Sequence, residues 1–318
     1  GCWNIGDVTT NLNRVGGLFG SNTKNNVKVQ SSWNAGNVET TATAAGLSET
    51  NGAYAIGGLA GIAAAKFYDC FNLGNVKGMT QVGGIVGRPA LNMTGLFNCY
   101  NSATVQGPAE QTGNLIGVNT SDKQQWSTAN KATSCYYTTD GGKCTLDASI
   151  GTAVNVAALC KTDMGSGWTS AGEYMLPLPT QFAGNDAALL YAAMVVPADN
   201  ENLSAITSPF HVGTPAGLKW SSDVADITFN GNQVSFASFT GSAVLTATLG
   251  DFMKSVKIVI NGTTGIDEVE LSAVDVKSEV WFDAAGRAVN ASSAMAGQMY
   301  IVVRTYSDNT SKVFKICK

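Results

Sequence analysis

Charge is scarce in this chain. Of its 318 residues only 13% are Asp, Glu, Lys or Arg, the net charge is −4, and there is a single histidine. So small a basic complement gives no electrostatic case for nucleic acid or an anionic membrane. No apolar run reaches the roughly 20 residues of a membrane-spanning helix. With one His, the seven Cys lack the partners and close pairs of a metal site, so neither metal nor cofactor is expected. No G-x-S-x-G, H-E-x-x-H, phosphate loop or Ser/His/Asp grouping occurs either. What is abundant is glycine, 36 residues, beside 44% hydrophobic residues. That composition suits many short strands joined by tight turns, and the length allows two or three domains.

One phrase recurs: CWNIGDV (2–8), SWNAGNV (32–38), CFNLGNV (70–76), CYNSATV (99–105) and, degraded, CYYTTDG (135–141). The intervals are 30, 38, 29 and 36 residues. A second phrase interleaves: VGGLFG (15–20), IGGLAG (56–61), VGGIVG (82–87) and the weaker TGNLIG (112–117). It starts 13, 24, 12 and 13 residues after the first. The long second copy contains ETTATAAGLSETNGAYA, which adds about eleven residues as a surface loop. The underlying period is near 30.

A unit that small cannot bury a core alone and must stack on its neighbours. Parallel stacking of coils places like residues over like at the strand spacing of about 4.8 Å. The sequence therefore predicts columns of Cys/Ser (Cys2, Ser32, Cys70, Cys99), of Asn (Asn4, Asn34, Asn72, Asn101) and of Gly (Gly6, Gly36, Gly74). The Asn amides bond up and down the stack and to the turn backbone. Glycine at the turn supplies positive φ, and in the second phrase it lets coils approach closely. The column cysteines are predicted to be free, buried thiols. Cys144, Cys160 and Cys317 follow no pattern.

Strand parity gives a candidate ligand stripe. The residue before each Cys/Ser position is polar (Ser31, Asp69, Asn98, Ser134), and Tyr68 and Phe97 two before it are apolar. Alternation then turns the Cys/Ser column inward and its polar predecessors outward. The following aromatics, Trp3, Trp33, Phe71, Tyr100 and Tyr136, also turn outward. Five stacked rings would form an exposed apolar stripe suited to sugar rings or an apolar partner. The alternative is that loops cover the rings and they serve packing alone.

VGGLFG, IGGLAG and VGGIVG with C-[WF]-N-x-G-[ND]-V resemble the GLUG repeat of bacterial surface proteins over about residues 1–145. That repeat is common in Bacteroidetes adhesin-like proteins and in regions accompanying immunoglobulin A proteases. The stretch ALCKTDMGSGWTSAGEYMLPLPTQF (158–182) resembles the closing segment of such repeats. It is expected to form a cap with one helical turn over the exposed end strand.

Residues 183–262 alternate in period two (GLKWSS, ADITFNGNQVSF, SAVLTATLGD, FMKSVKIVIN), and are similar to bacterial Ig-like β-sandwich repeats. Trp220 reads as a core aromatic and His211 as a polar residue with no partner pattern. Residues 263–318 resemble C-terminal sorting domains of type IX secretion at Gly286, Arg287, Gly297, Tyr300 and Lys315, with a merely structural terminal sandwich as the alternative. The chain opens inside the first repeat, which reads as part of a longer precursor.

Three all-β parts follow: a parallel β-solenoid with cap over 1–182, an Ig-like sandwich over 183–262 and a small terminal β-sandwich over 263–318. Glycan-cleaving solenoids need convergent carboxylates or cations. Asp7, Asp69 and Asp140 read as turn or surface residues, and Asp122 and Lys123 as a solvated pair, so no catalytic residue is expected. The resemblance implies a secreted or cell-surface, outer-membrane-associated adhesin whose partner is a glycan or a surface protein. A passive stalk, or an accessory module of a surface protease or glycan-degrading enzyme, stays open.

Overall fold

The computed structural model describes residues 1–11, 14–41, 55–90, 95–108, 111–117, 131–138, 150–198, 201–261, 276–283, 287–290, 299–306 and 311–317. Cys144, Asp122, Lys123, Asp140, Gly286 and Gly297 lie outside them, as does most of the insertion after Thr41. By contacts the chain forms two compact units, Gly1–Gly262 and Thr263–Lys318.

The N-terminal half is a β-solenoid of stacked parallel sheets. Its first face pairs Trp3–Asn4, Trp33–Asn34, Phe71–Asn72, Tyr100–Asn101, Tyr136–Thr138 and Thr152–Val154 in that order. The second face stacks Val8–Thr10, Val38–Thr40, Val76–Lys77 and Val105–Gln106, and the third Arg14–Gly16, Ala55–Gly57, Val82–Gly83 and Thr112–Gly113. The fourth is built on Phe19–Gln30, Ala60–Tyr68, Val86–Pro89, Gly95–Phe97 and Lys131–Thr133. Register follows the repeat residue for residue: Trp3 on Trp33, Trp33 on Phe71, Phe71 on Tyr100, Tyr100 on Tyr136. Val15, Ile56 and Val82 stack likewise across the insertion, so the extra residues leave the register untouched.

The asparagine ladder is complete. Nδ2 of Asn4, Asn34 and Asn72 donates to Oδ1 of the Asn in the next coil, each at 2.8 Å. The other amide proton goes to the carbonyl two residues on, Gly6, Gly36 and Gly74, at 2.7–2.8 Å. Both donors of Asn34 and Asn72 are thus used, and Asn101 donates to Ala103 O at 2.9 Å and accepts from Asn72, which allows all three to sit fully buried.

The Cys/Ser column also bonds locally. Ser32 Oγ, Cys70 Sγ, Cys99 Sγ and Cys135 Sγ each donate to the carbonyl two residues back, at 2.8, 3.1, 3.3 and 3.5 Å. Hydroxyl and thiol perform the same task, which explains their exchange in the sequence. The thiols are free. Burial pushes Cys99 well above the usual thiol range, and its hydrogen bond with Cys99 followed by burial does the same to Cys135, so both stay protonated and inert.

Two local expectations are corrected. The glycine column does not supply the positive φ; Ser31, Asp69, Asn98 and Ser134 do, at 45°, 53°, 51° and 50°. Asn and Asp tolerate this region better than other side-chain-bearing residues, which is why these corners are polar. Gly36 and Gly74 are needed for room instead: a Cβ there would lie 2.0 and 1.9 Å from the carbonyl oxygens of Gly6 and Gly36. The left-handed corner also breaks the alternation. Phe67 and Leu96 fill the interior with the cysteines, whereas Tyr68 and Phe97 stand half-buried on the outside.

The cap differs in placement from the expectation. It contains the predicted single turn of helix, α1 (Val156–Leu159), whose N-cap Asn155 accepts from Ala158 N at 2.7 Å. Trp168–Thr169 then pairs antiparallel with Leu178–Pro179, and α2 (Asp186–Ala192) follows, capped by Asn185. This layer lies along the flank of the first face, packing on Trp33, Phe71 and Tyr100. The end strand is left with Thr152 and Ala153 exposed.

Residues 195–260 form two antiparallel sheets. One orders Val195–Val196, Phe210–Val212, Gln233–Ser235 and Thr228–Asn230; the other Lys219–Ser222, Gly241–Leu249 and Phe252–Ile260. Phe210, Val212, Val234, Leu245, Ile258 and Ile260 fill the space between them. Trp220 is half-buried where this core meets the cap, donating Nε1 to Gly213 O at 2.8 Å. His211 does find a partner, lying flat on Tyr174 at 4.6 Å. In the second unit Ala288–Val289, Val276–Phe282, Met299–Tyr306 and Ser311–Cys317 make one antiparallel sheet. Tyr300 and Val302 are buried there, and Arg287 binds Asp283 at 2.8 Å.

Candidate functional site

The aromatic column does point out of the solenoid, but it is not an exposed stripe. Trp33, Phe71 and Tyr100 have no solvent exposure, Tyr136 is half-buried, and Trp3 alone is exposed, at 38%. The rings stack in series, Trp3 on Trp33 at 5.4 Å, Trp33 on Phe71 at 5.6 Å and Phe71 on Tyr100 at 5.0 Å, all nearly parallel. Phe182 meets Trp33 edge-on at 6.1 Å, and Trp168 leans on Phe71 and Tyr100 at 6.1 and 5.6 Å. The column is the hydrophobic seam on which the cap docks. Three of the five rings are therefore closed to a ligand, because the cap follows immediately in sequence and has its own apolar face to bury.

Polar contacts fix that seam. Tyr100 OH donates to Pro177 O at 2.9 Å, and burial raises its pKa well above the ordinary phenol value. Trp168 Nε1 donates to Asp69 Oδ1 at 3.1 Å, which also receives Asn98 Nδ2 at 3.3 Å. Asp7 Oδ1 receives Asn37 N at 2.8 Å. These two carboxylates hold turns and the cap in place. Trp33 Nε1 is buried without a hydrogen-bond partner among the described residues.

Within the cap a hollow of about 340 Å³ lies between Cys160, Asp163, Trp168 and Pro177. Three of its polar side chains are engaged locally: Thr162 Oγ1 with Ala158 O, Asp163 Oδ1 with Gly165 N, Ser170 Oγ with Gly172 O. Burial pushes the Cys160 thiol up to about 12, far from a nucleophile's range. Among the described residues no three His, Cys, Asp or Glu side chains gather as metal ligands.

Part of the fourth face is open: Lys28, Gln30, Lys66 and Thr133 are exposed, whereas residues 60–65 and Val86–Pro89 are buried. Tyr68 and Phe97 stack on it at 4.8 Å, 13° from parallel, in register with Gln30 on one side and exposed Thr133 on the other. The adjacent row holds Lys28, Lys66, Gly95 and Lys131 in register. Lys28 and Lys66 are exposed, and Lys28 Nζ lies 4.8 Å above the Tyr68 ring. Neither lysine makes an ion pair among the described residues. Parity applied across the corner hid these residues; the run of polar residues at Ser31, Asp69, Asn98 and Ser134 was the signal that a corner lay there.

Fold and surface together define an all-β protein whose stacked parallel sheets make a solenoid, followed by small antiparallel sheets. No protein-family model matches the chain, and neither does any curated protein or any solved structure. No described helix is long and apolar enough to cross a membrane.

Proposed function

We propose that this chain is a non-catalytic adhesin-like protein, exported to the cell surface or secreted, that presents a rigid solenoid face to a glycan or surface-protein ligand. The resemblance of its repeats to the GLUG family, of residues 183–262 to bacterial Ig-like repeats, and of the tail to type IX sorting domains supports that reading. The observation that carries it is the fourth face. Two half-buried stacked rings beside exposed lysines make a surface suited to a ligand. The asparagine ladder on the first face uses its own hydrogen-bonding groups internally, so the coils are held in register before any ligand arrives, which favours affinity.

The test is binding of the purified chain to immobilised glycans and to intact cells, with turnover measured on the same polysaccharides. Saturable binding without turnover is the expected result. Binding to nothing on either panel would point to a passive stalk, and turnover lost on changing Asp69 to Asn would make it an enzyme.

A further inference from the structure

We infer that the fourth face takes an acidic polysaccharide, laid along the solenoid axis over Lys28, Lys66, Tyr68 and Phe97. This rests on the adhesin reading above and names the ligand class for it.

Charge comes first. The chain as a whole is acidic, at −4. Yet Lys28 and Lys66 stand exposed in register on one row, with Lys131 on the same row by backbone pairing. Lys28 and Lys66, which make no ion pair among the described residues, are complementary to a polyanion, and a lysine ammonium suits a carboxylate or sulfate as a point charge. Lys28 is further held in place by the Tyr68 ring below its ammonium.

The rings give the second argument. Tyr68 covers one face of Phe97, and the other looks over Thr133, a small exposed side chain. An aromatic face open over a small polar neighbour is a shelf for the C–H face of a pyranose. Gly95 next to it adds no side chain to obstruct a bound chain.

Spacing separates a polysaccharide from a peptide. Rungs on this face repeat at the strand separation of about 4.8 Å, close to one pyranose unit of an extended glycan. An extended peptide advances about 3.3 Å per residue, so its side chains fall out of step with the rungs. The strands of this face pair their backbones with one another, so a peptide could add a strand only beyond the first or last of them and not over the rings.

The experiment is affinity electrophoresis of the full chain through polygalacturonate, its carboxyl-reduced form, a sulfated galactan and neutral mannan, beside an immobilised polyglutamate peptide. Retardation by polygalacturonate or the sulfated galactan is expected, at least tenfold weaker in the carboxyl-reduced form and weakened by salt. The first two gels distinguish carboxylate from sulfate as the anion. The double variant Lys28→Gln/Lys66→Gln, and separately Phe97→Ala, should each lose at least tenfold in affinity while melting where the parent does. Binding to mannan alone, to polyglutamate alone, or to an acidic gel without change in these variants overturns this inference and leaves the adhesin reading standing. Binding to no gel and no cell surface removes both.

Discussion

The stacked coils and the antiparallel sheets of residues 195–260 belong to one compact unit but hold themselves together differently. In the coils, buried polar side chains set the register: Asn34, Asn72 and Asn101 are fully enclosed and bonded to each other or to their own turns. In the sandwich the core is apolar, with Phe210, Val234, Leu245 and Ile258 between two sheets and no repeated column. Glycine follows the same division. Gly74 has no room for a Cβ, whereas Gly231 has space around it and is needed for its φ of +60°. A coil is therefore specified by what lies directly above and below each residue, and the sandwich by volume and local turn geometry.

The hardest test of that contrast is Gly74→Val against Gly231→Ala. The first forces a side chain into the Gly36 carbonyl and should cost more than ~4 kcal/mol, or prevent folding. The second should cost only about 1 kcal/mol of backbone strain. Urea titration followed by tryptophan fluorescence reads both, and equal losses would erase the distinction.

Trp33→Ala comes next. Removing a ring clamped between Trp3, Phe71 and Phe182 should cost about 4 kcal/mol and loosen the cap, seen as faster hydrogen exchange at residues 168–182. Full stability would mean that the seam does not hold the cap.

Asn72→Ala should cost about 2–3 kcal/mol, since Asn34 Nδ2 and Asn101 Oδ1 lose their partner in a dry interior. The pair Asn34→Ala/Asn72→Ala should cost clearly less than the sum of the single changes, because the two share a hydrogen bond. Additive losses would show that the ladder is not a connected unit.

A pH-dependent effect lies at the junction. Lys254, on a sandwich strand, sends its ammonium to the last carbonyls of α2, Tyr191 O at 3.2 Å and Ala193 O, beneath the Trp220 ring. Burial pushes its pKa down to about 7. The unfolded chain then holds this proton up to about pH 10.5, so between about 7 and 10.5 it binds more protons than the folded one. Stability should rise with pH across that window and flatten below it. Lys254→Met should remove the slope; an unchanged slope would assign it elsewhere.

Much of the solenoid was legible in the sequence because stacking turns three-dimensional contact into repetition: Trp3, Trp33, Phe71, Tyr100 and Tyr136 are spaced by the coil and meet in the structure. The asparagine ladder could be read for the same reason. Burial of that column could not. It depends on Phe182 and Trp168, which belong to an unrepeated segment that announces no partner. The outer position of Tyr68 and Phe97 was lost to one left-handed residue per coil, since alternation is a rule for unbroken strands. His211 needed Tyr174, which is distant in sequence and part of no pattern.

The asparagine ladder has a direction. One Nδ2 proton of Asn4, Asn34 and Asn72 points toward the later coil, and Oδ1 of Asn34, Asn72 and Asn101 toward the earlier one, like arrows laid end to end. Such a row can be lengthened or shortened by whole coils without reversing an arrow, as the register across the second copy's insertion already suggests for its side loops. It cannot be cut at half a turn, nor can two such stacks meet head to head at the Asn4 end without setting acceptor against acceptor. Whole coils can thus be added or removed without disturbing the row, while its polarity is held fixed.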